Sequence, residues 1–181
     1  HAVETLCSID ANDYTDGTAR QALRLLASGL PAVKADPTDP DARLRCLMGA
    51  WLSMVGIVTG SRLGASHAIG HILGGSANVP HGYTSCVMLP FVLAFNADTN
   101  PESQAQVSES MGHPGEPASD VLDAFISGLG MPRSLSAVGV DPGQFQQLAE
   151  NCMLDDWTFS NPKQIRTPAE VLGILESARG N

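Results

Sequence analysis

Three of the chain's five histidines fall between Gly64 and Pro90, in the run Gly64-Ala-Ser-His67-Ala-Ile-Gly-His71-Ile-Leu-Gly-Gly75 and in Val79-Pro-His81-Gly82. His67 and His71 are four positions apart, so a helix would stack them one turn apart on a shared face. The Gly74-Gly75 pair followed by Val79-Pro80 predicts a break and a turn that bring His81 back beside them. Clustered imidazoles offer neutral nitrogen ligands to a divalent transition metal, or a proton carrier that works near neutral pH. Gly64, Gly70, Gly74 and Gly75 surround the cluster. Each costs a helix about 0.5–1 kcal/mol relative to alanine, so four together point to something approaching the backbone closely. A packed core containing hydrogen-bonded histidines is the competing reading of the same residues.

The remaining periodicity is helical. Residues 1–9 read as the remainder of a helix opened by His1, followed by a polar loop from Asp10 to Thr15. Leu23, Leu26, Leu30 and Val33 recur at helical spacing before a Pro- and Asp-rich turn over 36–40. Leu44, Leu47, Met48, Trp51, Leu52 and Val55 then fit the template of an amphipathic helix in full, behind the start signal Asp39-Pro40. That start signal recurs at Asn100-Pro101, Asp141-Pro142 and Thr167-Pro168, the last with Glu170 placed for a capping box. Val121, Leu122, Phe125, Ile126 and Leu129 form a stripe ended by Gly130 and Pro132, and shorter stripes follow at Phe145, Leu148, Cys152 and at Val171, Leu172, Leu175. The apolar run Cys86 to Phe95 reads as a buried helix kinked at Pro90. No period-2 strand or Asn-Gly hairpin signal interrupts this pattern, and no internal repeat is visible. The expected fold class is all-α, with about seven to nine helices in one domain over residues 1–181.

Composition excludes several functions. A net charge of −9 with no basic cluster argues against nucleic acid and against an anionic membrane surface. Cys7, Cys46, Cys86 and Cys152 are scattered without a CxxC pair, which fits buried free thiols in a reducing compartment, hence a cytoplasmic protein. There is no serine-nucleophile motif, phosphate-binding loop or HExxH. His113, in a Gly- and Pro-rich loop, reads as a surface residue, and Trp51 and Trp157 as core or packing residues. Asp155 and Asp156 read either as an acidic contact or as a loop before Asn161-Pro162. The chain opens on His1 inside an apolar helical pattern, without the polar lead-in of a domain boundary, and is expected to be the C-terminal part of a longer protein.

His1-Ala-Val-Glu4, the Gly64-to-Gly75 run, Val79-Pro-His81-Gly82 through Leu89-Pro90, Asn96 and Asn161-Pro162-Lys-x-Ile165 together resemble the C-terminal half of the iron-containing (group III) alcohol dehydrogenases. Maleylacetate reductases, glycerol dehydrogenases and dehydroquinate synthases belong to the same superfamily. The resemblance implies an all-helical metal- and substrate-binding domain whose α/β partner domain, absent from this chain, binds NAD(P). It implies Fe(II) or Zn(II) held by His1, His67 and His81, with an aspartate four residues before His1 as the fourth ligand. It places His71 as the non-ligand histidine beside nicotinamide and substrate, able to relay the alcohol proton. The implied reaction is hydride transfer between a small alcohol and its aldehyde or ketone, by a chain that is inactive on its own. Leu73-Gly-Gly75 before Val-Pro-His81 is also similar to the maleylacetate reductases, which work without a bound metal, whereas Gly82 after His81 is similar to the metal-dependent alcohol dehydrogenases. A free-standing helical binding or assembly module is the remaining alternative. An apolar face left without its α/β partner would invite a homodimer.

Overall fold

Local capping places several of the helix starts. In the structure, a computed structural model that describes residues 1–180, the Asp39 carboxylate accepts from the backbone N–H groups of Asp41 (2.9 Å) and Ala42 (3.1 Å). It thereby caps a helix that begins at Pro40. Thr167 and Glu170 close the expected capping box of the last helix. Asn12 and Thr15 form a second capping box, which starts a helix inside the segment Asp10–Thr15 expected to be loop; a reciprocal Asn/Thr pair supplies the same two hydrogen bonds as the commoner Ser/Glu pair. Asn78, in the left-handed region at φ 55°, ends the helix that carries His67 and His71. That helix runs through Gly74 and Gly75, so the break lies three residues later than the Gly-Gly pair implied. Asparagine tolerates this backbone conformation, while glycine is merely permitted within a helix.

The described residues are all helical, without a strand, as expected. The helices are α1 (Ala2–Cys7), α2 (Asp13–Ala35), α3 (Pro40–Ser53), α4 (Val55–Val58), α5 (Ala65–Ala77), α6 (His81–Asn96), α7 (Pro101–Ser110), α8 (Ala118–Leu129), α9 (Phe145–Cys152), α10 (Asp156–Phe159) and α11 (Pro168–Ser177). Two of them, α4 and α10, are single turns of four residues, too short for periodicity to reveal. No helix of the described residues is long and apolar enough to cross a membrane.

Two apolar clusters share α6 as a common wall. Val87, Met88 and Val92 pack with Ile69 and Leu73 of α5, Phe145 and Leu148 of α9, and Ile174 and Leu175 of α11. Leu89 and Leu93 pack with Val3 and Leu6 of α1, Leu23 of α2, Val107 of α7 and Leu122 of α8. A helix apolar all round must be enclosed on both sides, and the sequence of α6 matches that demand. Every residue of α1 is buried, so the segment beginning at His1 is held between these layers rather than laid on them.

The stripe on α3 is turned the other way from the sequence expectation. Trp51 is 78 % exposed, and Leu44, Leu47 and Met48 are exposed with it. Ala42, Cys46, Gly49 and Ser53 face inward instead. Small residues decide this face because the backbones of α2 and α3 approach closely. A Cβ on Gly49 would lie 2.7 Å from Leu26 Cγ, and one on Gly29 would lie 2.9 Å from Cys46 Sγ. Trp51 is therefore not a core residue.

Candidate metal and catalytic site

The four histidines at positions 1, 67, 71 and 81 meet where the N-terminus of α1, the first half of α5, the first residue of α6 and the short α10 converge. The ring centroids of His1 and His67 are 5.0 Å apart and stacked. His67 lies 6.4 Å from His71 and 6.5 Å from His81, and His71 and His81 are 6.5 Å apart with nearly parallel rings. The rings of His67 and His81 are thus near neighbours. His113, as expected, lies at the surface, where Nδ1 pairs with Glu116 at 3.1 Å.

His67 is the buried member of the group, and its Nδ1 is bonded to Glu4 Oε2, itself buried. The other oxygen of Glu4 accepts from the backbone N–H of Gly64 at 3.0 Å. Burial opposes ionisation of the Glu4 carboxyl more than any other influence, yet His67, the terminal ammonium at His1 and the Gly64 N–H together hold it below the usual carboxylate range. With the carboxylate on Nδ1, Nε2 is the nitrogen of His67 left for other work. A carboxylate behind a histidine is also the arrangement that orients a metal ligand and raises its basicity.

The start of α5 is held by side chains, because its N-cap Gly64 has none to offer. Asn161 Oδ1 accepts from the backbone N–H of Ala65 at 3.2 Å, beside the Glu4 bond to Gly64. Asn96 and Asn161 exchange amide hydrogen bonds at 3.1 and 2.7 Å, and Asn161 Nδ2 also donates to Lys163 O at 2.7 Å. Gly64 and Gly70 are glycine for want of space. A Cβ at either would come within 2.9 Å of Asn161 Oδ1 or Thr84 Oγ1 respectively. Gly74 and Gly75 are not crowded; nothing lies within 4 Å of a Cβ at Gly75.

His71 is more exposed, at 41 %, and its Nδ1 lies 2.7 Å from Asp155 Oδ2. Asp155 also caps α10, its Oδ1 accepting from Trp157 N at 2.9 Å. The half-buried Trp157 indole packs against both histidines, 5.2 Å from His71 and 6.0 Å from His67. Of the two readings of Asp155 and Asp156, the acidic contact holds for Asp155, while Asp156 is exposed. Sequence reasoning gives Glu4 no role and reads Trp157 as a core or packing residue. The Asp-Asp-Trp triplet was the available signal, but nothing in linear order ties it to a histidine 84 positions away.

Imidazole nitrogen is a donor type that divalent transition metals accept, and the ring of His67 is backed by a buried carboxylate. The histidine set is not closed. Among the described residues, no group of three or more His, Cys, Asp or Glu side chains is arranged to hold a metal ion.

Fold and site together define an all-helical domain with four histidines gathered between its helices. Comparison with known proteins narrows the class. The family model described as "Fe-containing alcohol dehydrogenase family, C-terminal" matches residues 1–179, and the chain belongs to this family of oxidoreductases. It is similar to the maleylacetate reductase of Sphingobium indicum, 35 % identical over 183 residues, covering 98 % of this chain and 49 % of that protein. It is similar to the 1,3-propanediol dehydrogenase of Klebsiella pneumoniae, 34 % identical over 187 residues, covering 98 % of this chain and 48 % of that protein. Among solved structures, the maleylacetate reductase of Rhizobium sp. strain MTP-10005 superposes with a TM-score of 0.87 at 31 % identity, over 99 % of this chain and 49 % of that one. The chain spans about half the length of the curated relatives it matches.

Proposed function

We propose that this chain is the metal- and substrate-side half of an NAD(P)-linked alcohol dehydrogenase acting on a small alcohol and its aldehyde or ketone. The observation that carries the reading is the convergence of His1, His67, His71 and His81, carried by three separate helices, onto one region. His1, His67 and His81 are the residues that would hold Fe(II) or Zn(II), which supplies Lewis-acid polarisation of an alcohol or carbonyl oxygen. Glu4 keeps His67 in the tautomer whose Nε2 carries the lone pair. His71, with Nδ1 occupied by Asp155, has Nε2 free to take up or return the alcohol proton, and a nicotinamide held beside it would supply the hydride acceptor or donor. Trp157 covers one side of this pair and limits water on that side. We infer further that the 181-residue chain alone carries out no hydride transfer, a reading supported by its spanning about half the length of its curated relatives.

A second reading, maleylacetate reduction without a bound metal, is favoured by the 35 % identity to the Sphingobium indicum enzyme and by the unclosed histidine set. One experiment separates the two. The natural full-length protein is assayed for NAD(P)+ reduction with 1,3-propanediol and for NAD(P)H oxidation with maleylacetate, before and after chelation, alongside elemental analysis. Stoichiometric iron or zinc and chelator-sensitive alcohol oxidation support the first reading. Metal-free, chelator-resistant maleylacetate reduction replaces it with the second. Absence of both activities would remove the dehydrogenase reading altogether.

A further inference from the structure

His71 raises a physical problem that the family reading leaves open. A histidine that moves a proton to and from a substrate must present one defined nitrogen, yet a ring 41 % exposed at mid-helix is free to turn and to change tautomer. Three features of the structure remove that freedom. The Asp155 carboxylate stands 2.7 Å from Nδ1, so an ionised Asp155 accepts a hydrogen bond from Nδ1–H and leaves Nε2 unprotonated in the neutral ring. Asp155 is 18 % exposed and its second oxygen accepts from the backbone N–H of Trp157 at 2.9 Å, which anchors the carboxylate to the start of α10. The Trp157 indole, 5.2 Å away, closes one face of the His71 ring. The cap and the imidazole bond use different oxygens of one carboxylate. Fixing α10 therefore fixes the acceptor, and the acceptor fixes His71.

We infer that Asp155 is a positioning residue that holds His71 in its Nδ1–H tautomer, with Trp157 as the wall against which the ring is set. This deepens the proposed dehydrogenase function and rests on it for the catalytic consequence, though not for the tautomer itself. The competing role, a helix cap that merely touches His71, makes a different prediction. Asp155→Ser keeps a side chain able to cap α10 but too short to reach the imidazole. Asp155→Glu retains a carboxylate with longer reach.

The test uses the natural full-length protein and two readouts. In protein labelled with nitrogen-15 histidine, the His71 signals are assigned by their loss in His71→Gln, and tautomers are read from the ring nitrogens. The wild type is expected to show Nδ1 protonated and Nε2 bare in the neutral ring. Asp155→Ser should shift His71 to a mixed or Nε2–H population without changing the thermal midpoint by more than a few degrees. In NAD(P)-linked turnover, Asp155→Ser should lower kcat by about ten- to hundredfold with KM little changed. Asp155→Glu should recover part of the loss. Asp155→Ser added to His71→Gln should cost less than about twofold more, because its target is already gone. An unchanged His71 tautomer in Asp155→Ser overturns the inference, as does a full additional loss in the double variant. If the protein has no NAD(P)-linked activity, the dehydrogenase reading fails while the tautomer spectrum still decides the role of Asp155.

Discussion

The Glu4 carboxylate is bonded to His67 Nδ1 across 63 positions of sequence, with both side chains buried, and its second oxygen holds the N–H of Gly64 at the start of the helix that carries His67. One side chain on α1 therefore sets both the orientation of a candidate metal ligand and the start of its helix. His67 is thus built into the core between α1 and α5, while His1, His71 and His81 stand at its exposed edge.

Removing this carboxylate should be costly. Glu4→Ala leaves the Gly64 N–H and the His67 ring nitrogen buried without a partner, an expected loss of about 3–5 kcal/mol. Glu4→Gln keeps one carbonyl acceptor and should cost about 1–2 kcal/mol less. Urea unfolding of the two variants against wild type measures the difference. Equal losses would mean that the charge matters and the acceptor does not.

The same residue predicts an acid dependence. The folded-state pKa of Glu4 lies below its ordinary value, so on acidification the unfolded chain takes up this proton first. The Glu4 contribution is fully present above the unfolded value of ~4.3 and is lost as pH falls through the lower folded value. Stability measured from pH 7 down to pH 3 should fall in that lower window, and the fall should be shallower in Glu4→Gln. Parallel curves for the two proteins would place the acid sensitivity elsewhere.

The Asn96–Asn161 pair should behave as a unit. Asn161→Leu, close in volume, strands the Ala65 N–H, the Lys163 carbonyl and the Asn96 amide. The expected cost is about 2–4 kcal/mol. Adding Asn96→Leu should cost less than it does in wild type, since its main partner has gone. A double-mutant cycle on denaturation midpoints gives the coupling.

Thiol chemistry tests the packing of two helices. Burial pushes the thiols of Cys7 and Cys152 up to about 12, with the charge of Glu4 adding to Cys7 and that of Asp155 to Cys152. At pH 8 each is thiolate to roughly one part in ten thousand, and both are enclosed, so neither should react with an alkylating reagent in the native protein. Mass mapping after a timed pulse should find them modified only once the chain unfolds. Modification of either at the rate of half-buried Cys46 would contradict the packing.

The two faces of α3 should respond oppositely to substitution. Trp51→Gln, at a 78 % exposed site, should change stability by no more than about 0.5 kcal/mol. Gly49→Val places a Cβ 2.7 Å from Leu26 Cγ and 3.2 Å from the Ala22 carbonyl and should cost about 1–3 kcal/mol. Calorimetric unfolding of both variants checks the contrast. The opposite order would mean that the apolar stripe packs inward after all.

The all-helical class, the helix starts at Pro40, Pro101 and Pro168, and the one-face pairing of His67 and His71 were determined by the sequence alone. Each is set by interactions within a few residues: a cap, a proline, or a spacing of four. Tertiary structure decided the rest. It chose the small-residue face of α3 over the apolar one, because the distance between two helix backbones outweighs the hydrophobicity of a stripe at that contact. It joined Glu4 to His67, Asp155 to His71 and Asn161 to Asn96, pairs separated by 63, 84 and 65 positions. A buried polar group must find its partner somewhere in space, and nothing in linear order says where. The histidines marked where the site lies, and the packing of α1 and α10 against α5 decided how each ring is held.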